Sequence, residues 1–239
     1  MSHTLRVNEV FASLQGEGPS SGQPATFLRL TGCNLSCSWC DTPFTWDWKG
    51  KNGTVYLADD ETEERTVMDL YAALVGYTRD GGLVVVTGGE PMIQRSALAL
   101  LVEKLVTVGR RVEVETNGTL RIGALTPFAG HGLAFNVSPK LANSGVDYQQ
   151  RLNAERLIEY RNAGARFKFV LTDSDEIPEV ETIVNTIDIP ASQVWLMPEG
   201  TNDDTVEVAQ QLAANAIRRG WNLTLRQHSL LWPHKSRGV

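Results

Sequence analysis

The segment GCNLSCSWCDT, residues 32–42, contains all three cysteines of the chain: Cys33, Cys37 and Cys40. Three and then two residues separate them, so one loop can place three thiolates around a common centre. A closed structural zinc site takes four protein ligands, and here His228 or Asp41 would have to supply the fourth. A four-iron cluster held by three cysteines instead leaves one iron free to bind a substrate or cofactor. The residues alone leave both sites open, together with the possibility of three unrelated buried thiols.

Composition limits the class of protein. A chain of 239 residues with 42% hydrophobic content predicts one domain over residues 1–239. The net charge of -6 argues against a general nucleic-acid or membrane-surface binder, because phosphate binding needs clustered cations. No apolar run approaches about 18 residues and the N-terminus lacks a secretory signal, so we expect a cytosolic protein. In a reducing cytosol three cysteines favour a metal or redox role over disulfides.

Short runs rich in β-branched residues alternate with amphipathic stretches along the chain. The runs predict strands over 5–14, 25–30, 83–87, 110–116, 133–138, 166–171, 193–197 and 223–226. The stretches between them predict helices over 66–78, 96–109, 153–164, 175–187 and 203–220. This alternation indicates a parallel sheet covered by helices, with ligands at the carboxyl ends of the strands. The charged residues from about 47 to 65 are expected to form an exposed insertion after the cysteine-containing loop, 32–48.

The cysteine spacing, with Trp39 before the last cysteine, resembles the cluster loop of radical S-adenosylmethionine (radical SAM) enzymes. The resemblance implies a [4Fe–4S] cluster on Cys33, Cys37 and Cys40 that cleaves S-adenosylmethionine to a 5′-deoxyadenosyl radical. It also implies an incomplete, TIM-like α/β barrel, for which this length leaves room for about six β/α units.

Several strand ends match the family's S-adenosylmethionine site. TGGEP (87–91) follows an apolar strand, and the resemblance implies that Glu90 holds the amino group of the cofactor. Each of these polar strand ends could instead be an ordinary turn or helix cap. The full set implied to bind S-adenosylmethionine is Trp39, Cys40, Asp41, Gly88, Gly89, Glu90, Glu115, Asn117, Ser138, Pro139, Lys140, Met197, Pro198, Glu199 and Gly200.

The segment LQGEGPSSGQPATFLRL (14–30) resembles the 7-carboxy-7-deazaguanine synthase subgroup. Glu17 and Arg29 by themselves could be a surface ion pair of little value. The resemblance implies that Gln15 and Glu17 bind a guanine-like ring edge and that Arg29 grips a carboxylate. It also implies Mg²⁺ on the hydroxyl of Thr42 and a C-terminal segment, about 226–239, that closes the pocket. The implied substrate contacts are Leu14, Gln15, Gly16, Glu17, Arg29, Thr87, His228 and the terminal Val239.

Three hypotheses for the function follow. The first is a carbon–nitrogen lyase that contracts 6-carboxy-5,6,7,8-tetrahydropterin to 7-carboxy-7-deazaguanine with loss of ammonia, a step towards queuosine. The cofactor radical would do the chemistry, and Arg29, Glu17 and Gln15 would position the substrate. This resemblance also implies a flavodoxin or ferredoxin electron donor and a homodimer, without direct nucleic-acid or membrane contact. The second hypothesis is an activating enzyme that installs a glycyl radical on a protein, and the third is a binding module with structural zinc.

Overall fold

One mostly parallel sheet organises the computed structural model, which describes residues 3–200, 204–233 and 237–238. Its order is β3-β1-β2-β4-β5-β6-β7-β8-β9. β1 pairs antiparallel with both β2 and β3, and every pairing from β2 to β9 is parallel. The strands are β1 (Thr4–Leu14), β2 (Pro24–Leu30), β3 (Glu63–Thr66), β4 (Leu83–Gly88), β5 (Arg111–Thr116), β6 (Leu133–Val137), β7 (Arg166–Leu171), β8 (Val194–Pro198) and β9 (Asn222–Leu223).

The two faces of this sheet have different chemistry. In β5 the side chains of Val112 and Val114 belong to the hydrophobic core, so Glu113 between them points to the opposite face. In β7 Phe167 and Phe169 lie in the same core, and Lys168 points away from it. The opposite face therefore carries charged side chains in β5 and β7, beside a small apolar cluster in β2 and β4 formed by Ala25, Phe27, Leu83 and Val85.

Helices cover the apolar face. The long helices that do so are α2 (Val67–Tyr77), α3 (Arg95–Thr107), α5 (Ala154–Asn162), α6 (Ile177–Ile187) and α7 (Asp204–Arg219). The short helices are α1 (Ala58–Glu61), α4 (Tyr148–Arg151) and α8 (Gln227–Leu231), and α1 and α8 bury none of their residues. Leu74 of α2, Leu101 of α3 and Leu212 of α7 are fully buried in the core. The side chain of Thr66 caps α2 by accepting a hydrogen bond from the backbone N–H of Asp69 at 3.1 Å. The five long helices fall where the amphipathic stretches predict them.

The turn between β1 and β2 lies on the face of the sheet that is turned away from the helices. Gln15 of this turn donates a hydrogen bond to Glu115 of β5 at 3.1 Å. The backbone N–H of Gly18 donates to the hydroxyl of Thr224, just beyond β9, at 2.9 Å. One short turn thus reaches strands from the middle and the far end of the sheet. The parallel strands β2, β4, β5, β6, β7 and β8 are neighbours in the sheet, and they confirm the predicted mixed α/β fold.

Some elements differ from the prediction. The expected strand over 223–226 is paired only at Asn222–Leu223, because Arg226 leaves the sheet to form ion pairs across the cavity. The segment 47–65 contains α1 and β3, and β3 extends the sheet by pairing with β1. Most of its residues are exposed or half-buried, whereas Asp47 is 1% exposed. Within the described part of the chain, the helices are too short or too polar to cross a bilayer.

Candidate active site

A cavity of about 430 Å³ lies where the β1–β2 turn, the cysteine loop and the ends of the parallel strands meet. Most of the expected site residues line it: Leu14, Gln15, Glu17, Arg29, Cys33, Cys37, Trp39, Cys40, Asp41, Thr42, Thr87, Gly88, Gly89, Glu115, Asn117, Ser138, Lys140, Met197 and His228. The other described ones do not: Gly16, Glu90, Pro139, Pro198, Glu199 and Gly200. Val239 lies outside the described residues. The fold therefore brings residues predicted to bind S-adenosylmethionine and residues predicted to bind the substrate to one cavity.

The three thiols are free and lie on one wall of the cavity. The backbone N–H of Leu35 donates to Cys33 Sγ at 3.4 Å, and the indole of Trp46 donates to Cys40 Sγ at 3.2 Å. Donors aimed at sulfur stabilise a thiolate, which is the form that binds metal. Burial opposes ionisation. It raises the pKa of the Cys33 thiol to about 12, and it also raises the pKa of the Cys37 thiol. A bound metal would offset that cost, so the donor set fits a cluster.

No group of three His, Cys, Asp or Glu side chains among the described residues is placed to hold a single metal ion. The metal role of the cysteines therefore rests on their common position, on the donors to their sulfurs and on the relatives reported below.

A buried carboxylate shapes the far end of the cysteine loop. Asp47 accepts hydrogen bonds from the backbone N–H groups of Lys51 at 2.9 Å and Asn52 at 2.7 Å. Burial alone would raise the pKa of Asp47, but these N–H groups outweigh it and lower the pKa. The side chain of Asn52 in turn donates to the carbonyl of Cys37 at 3.2 Å. The first residues after the loop therefore hold the second cysteine in place.

The paired glycines of TGGEP are required by chain packing. A Cβ on Gly88 would lie 2.1 Å from the carbonyl oxygen of Leu30, and one on Gly89 would lie 2.3 Å from that of Gly32. Both contacts are shorter than any side chain permits. The end of β4 thus lies directly against the start of the cysteine loop, and the backbone of both glycines is left facing the cavity.

Glu90 is fully buried behind these glycines. Its carboxylate accepts from the backbone N–H of Met92 at 2.9 Å, from that of Asn117 at 2.7 Å and from the hydroxyl of Thr116 at 2.8 Å. It thereby ties the end of β4 to the end of β5. Contact between Glu90 and the amino group of a cofactor stays a prediction.

The substrate-side residues form one hydrogen-bonded group. The carboxylate of Glu115 accepts from Gln15 at 3.1 Å and from the hydroxyl of Thr87 at 2.8 Å. The amide oxygen of Gln15 accepts from the backbone N–H of Glu17 at 3.2 Å. Glu115, which the resemblance implies for the cofactor side, is thus bonded to two residues expected on the substrate side.

Arg29 lies at the edge of this group and is 7% exposed. Its Nε donates to Glu9 at 2.7 Å, and its guanidinium lies over the rings of Phe11 at 5.4 Å and Phe44 at 5.8 Å. Arg237 lies over Phe44 at 4.2 Å. The planar guanidinium is therefore fixed by one ion pair and two aromatic faces, as bidentate recognition of a carboxylate requires.

On the opposite side lie residues expected to hold S-adenosylmethionine. Lys140 donates to the hydroxyl of Ser138 at 3.1 Å and lies over the ring of Trp39 at 5.2 Å. The side-chain amide of Asn117 donates to Asn34 at 2.9 Å. The ends of β4, β5, β6 and β8 thus each contribute a polar or sulfur-bearing residue to one wall.

Two cations on the cavity wall were missed by sequence reasoning: Lys168, which is half-buried, and Arg226, which is buried. Lys168 forms an ion pair with Glu17, and Arg226 lies 3.4 Å from Glu17 and 3.2 Å from Asp41. A signal for Lys168 was present, because a lysine between two core phenylalanines of a strand must point to the face of the sheet away from the helices. Arg226 has no comparable pattern around it.

Fold and site define a class. A mostly parallel α/β sheet carries three free cysteines on the wall of a polar cavity, and residues 28–161 match the radical SAM superfamily. The 7-carboxy-7-deazaguanine synthase of Pyrobaculum aerophilum is 39% identical over 95% of both chains. That of Hyperthermus butylicus is 34% identical over 97% of this chain and 94% of its own. The crystal structure of QueE from Escherichia coli matches with a TM-score of 0.72 at 30% identity, covering 94% of this chain and 95% of the other.

This chain belongs to the 7-carboxy-7-deazaguanine synthase family within the radical SAM superfamily. The membership implies a [4Fe–4S] cluster and S-adenosylmethionine as cofactors. It supports the first of the three hypotheses drawn from the sequence.

Proposed function

We propose that this chain contracts the ring of 6-carboxy-5,6,7,8-tetrahydropterin to give 7-carboxy-7-deazaguanine and ammonia. One observation carries the proposal: the Gln15–Glu17 turn, Arg29 and the three cysteines line the same cavity of about 430 Å³. A volume of this size accommodates a small bicyclic substrate beside part of a nucleoside cofactor.

The polar group on the turn suits the ring edge of a pterin. That edge presents N–H donors from its 2-amino group and ring nitrogen. Glu17 and Glu115 offer carboxylate acceptors, and ionised acceptors give the stronger hydrogen bonds. Arg29 lies at the same wall and would bind the 6-carboxylate through its terminal nitrogens, because its Nε is engaged by Glu9. Substrate orientation is thus fixed from two ends.

When bound, the cluster and S-adenosylmethionine would supply the radical chemistry that the ring contraction needs at C6 of the substrate. Cys33, Cys37 and Cys40 would hold the cluster. Trp39, Asp41, Asn117, Ser138, Lys140 and Met197 would surround S-adenosylmethionine together with the backbone of the paired glycines. The aromatic walls from Phe27, Trp46 and Trp232 line the same cavity and would keep water and stray hydrogen donors from the reacting carbon.

Thr42 would contribute a ligand to Mg²⁺. Its side chain lines the cavity next to Cys40 and is 9% exposed. Magnesium prefers oxygen ligands and keeps water and substrate oxygens in its shell, so one protein hydroxyl is compatible with a site completed by the substrate. The wider setting that we propose is a cytosolic homodimer reduced by a flavodoxin or ferredoxin, with its product passing to queuosine or another deazapurine.

The proposal is tested by incubating the anaerobically reconstituted protein with the carboxypterin substrate, S-adenosylmethionine and a reductant. Mass spectrometry should show 7-carboxy-7-deazaguanine, and ammonia should be released in equal amount. Omitting S-adenosylmethionine is the control. Formation of free 5′-deoxyadenosine without the deazapurine would refute this function and favour another substrate for the same cofactor.

A further inference from the structure

Lys168 stands out because a largely desolvated cation lies on the face of the sheet turned away from the helices. Its side chain is 13% exposed, and its neighbours Phe167 and Phe169 are fully buried in the core. Removing an ammonium group from water is costly unless a partner of opposite charge compensates it. A lysine retained at this position must therefore have a partner whose placement matters.

That partner is Glu17 of the β1–β2 turn. One oxygen of Glu17 accepts a hydrogen bond from Lys168 Nζ, and the other lies 3.4 Å from Nε of Arg226. The second guanidinium end of Arg226 lies 3.2 Å from Asp41 in the cysteine loop. Glu17 is thus held between two cations, the half-buried Lys168 and the buried Arg226. Each carboxylate oxygen has two lone pairs, so each retains one acceptor position for a ligand.

We propose that Lys168 is a positioning residue that holds Glu17 as a fixed, ionised acceptor, and thereby selects ligands whose ring edge carries N–H donors. This inference rests on the proposed function and concerns which ring systems the site accepts. An ionised carboxylate accepts hydrogen bonds but donates none. A ring with a carbonyl in place of the 2-amino group would bring an acceptor against it and be disfavoured.

The surrounding charges support an ionised Glu17. The groups that face it, or the cations that hold it, come from five parts of the chain. They are Lys168 of β7, Glu115 of β5, Glu199 just after β8, Arg226 and His228 of the C-terminal segment, and Cys40 and Asp41 of the cysteine loop. Burial by itself would raise the pKa of Glu17, but Lys168, Arg226 and His228 outweigh it and lower the pKa to about 2. Lys168 contributes the largest of the lowering effects.

The test measures binding of two fluorescent pteridines to the anaerobically reconstituted protein loaded with S-adenosylmethionine. The first probe is 6-carboxypterin, which has no hydrogen on C6 and is not consumed. The second is 6-carboxylumazine, which carries a carbonyl where the pterin carries its amino group. In the wild type the pterin should bind about ten- to hundred-fold more tightly between pH 6 and 8, because one charge-assisted hydrogen bond is replaced by a repulsive contact.

In Lys168→Met, Glu17 keeps its burial but loses its main cation, so its pKa rises. Protonation at low pH then converts the carboxylate into a donor. The preference for the pterin should shrink at least about five-fold at pH 6 and recover as the pH rises. Lys168→Arg should restore most of the preference, and Glu17→Gln should lose it at every pH. In the Glu17→Gln background, Lys168→Met should add little further change.

Arg110→Met is the matched control, because Arg110 is a buried cation, 5% exposed and paired with Asp80 at 2.7 Å, but lies outside the cavity wall. It should change stability and leave the preference intact.

Iron content and circular dichroism identify folded variants, and Lys168→Gln replaces Lys168→Met if that variant fails to fold. Wild-type preference at every pH in the folded neutral variant, Lys168→Met or its replacement Lys168→Gln, would overturn the inference. A pH-independent loss without rescue by arginine would also overturn it, as a purely structural effect. Absence of pterin binding in the wild type would instead refute the proposed function and the inference with it.

Discussion

Among the glycines of the β1–β2 turn, Gly16 has the least space for a side chain. We predict that Gly16→Ala separates α8 from this turn. A Cβ on Gly16 would lie 2.1 Å from Nδ1 and 2.9 Å from the backbone nitrogen of His228. Rotation of the imidazole relieves only the first contact, so the backbone of α8 must move. That movement also breaks the hydrogen bond from the Gln227 N–H to the carbonyl of Gly16, 3.0 Å long.

The expected cost is about 1–3 kcal/mol, the range for overpacking a closely fitted contact. None of the residues of α8 is fully buried, so displacement of this helix is cheaper than disruption of the core. The loss should therefore fall on ligand binding rather than on global stability. If the pterin needs α8 in place, its dissociation constant should rise between about five-fold and 140-fold.

The assay is titration of the reconstituted protein with 6-carboxypterin, paired with thermal unfolding. Gly76→Ala is the matched control, since Gly76 lies in α2 with no atom within 4 Å of its added Cβ. It should leave pterin affinity unchanged and stabilise the protein by about 0.5–1 kcal/mol through helix propensity. Adding His228→Ala to Gly16→Ala should not recover the affinity, because the contact with the backbone nitrogen of residue 228 remains. Wild-type affinity in Gly16→Ala would show that the reasoning about α8 is wrong.

Three further predictions concern the cysteine loop and the carboxylate site. Cys37→Ala should abolish the brown colour of an anaerobic preparation and lower its iron content well below about four per chain, as measured by iron analysis. Arg29→Met should leave iron content unchanged and weaken 6-carboxypterin binding by about ten- to hundred-fold in the same titration, because a charged hydrogen bond is lost; equal affinity would remove Arg29 from the site. Asp47→Asn should lower the melting temperature at pH 7 by about 2–6 °C. Because the pKa of Asp47 is lowered by folding, its contribution is present above the usual carboxyl pKa and is lost as the pH falls through the lowered value, so this difference should vanish in acid.

Periodicity predicted the repeating part of the fold because burial on one face leaves a regular trace in the sequence. The run Leu83–Val86 is buried on both faces and reads as a central strand without any context. Strand β3 left no such trace. Its residues Glu63–Thr66 are exposed or half-buried, and they form a strand only because the edge of β1 offers backbone partners.

The site was predictable where a motif fixes a backbone shape and less so where distant segments meet. Most of the expected residues lie on the cavity wall since loops at the ends of parallel strands converge there. Lys168 and Arg226 were missed because each is placed by its ion pair with Glu17, more than a hundred residues away in the chain. Glu90 lies in a motif that was predicted to bind the cofactor, and in the structure its carboxylate accepts hydrogen bonds from backbone and hydroxyl donors.

The β1–β2 turn descends along the inner face of the sheet, with Gln15 bonded to Glu115 and, further along, Ser20 bonded to Glu113. Glu113 precedes Glu115 by two residues in β5, so it lies further from the carboxyl ends of the strands, where the cysteine loop lies. A substrate bound at this turn would consequently lie deeper between the strands, and S-adenosylmethionine bound at the cysteine loop would lie closer to their carboxyl ends. Binding should then be ordered, with the substrate binding first. Bound S-adenosylmethionine should slow dissociation of the substrate until turnover is complete.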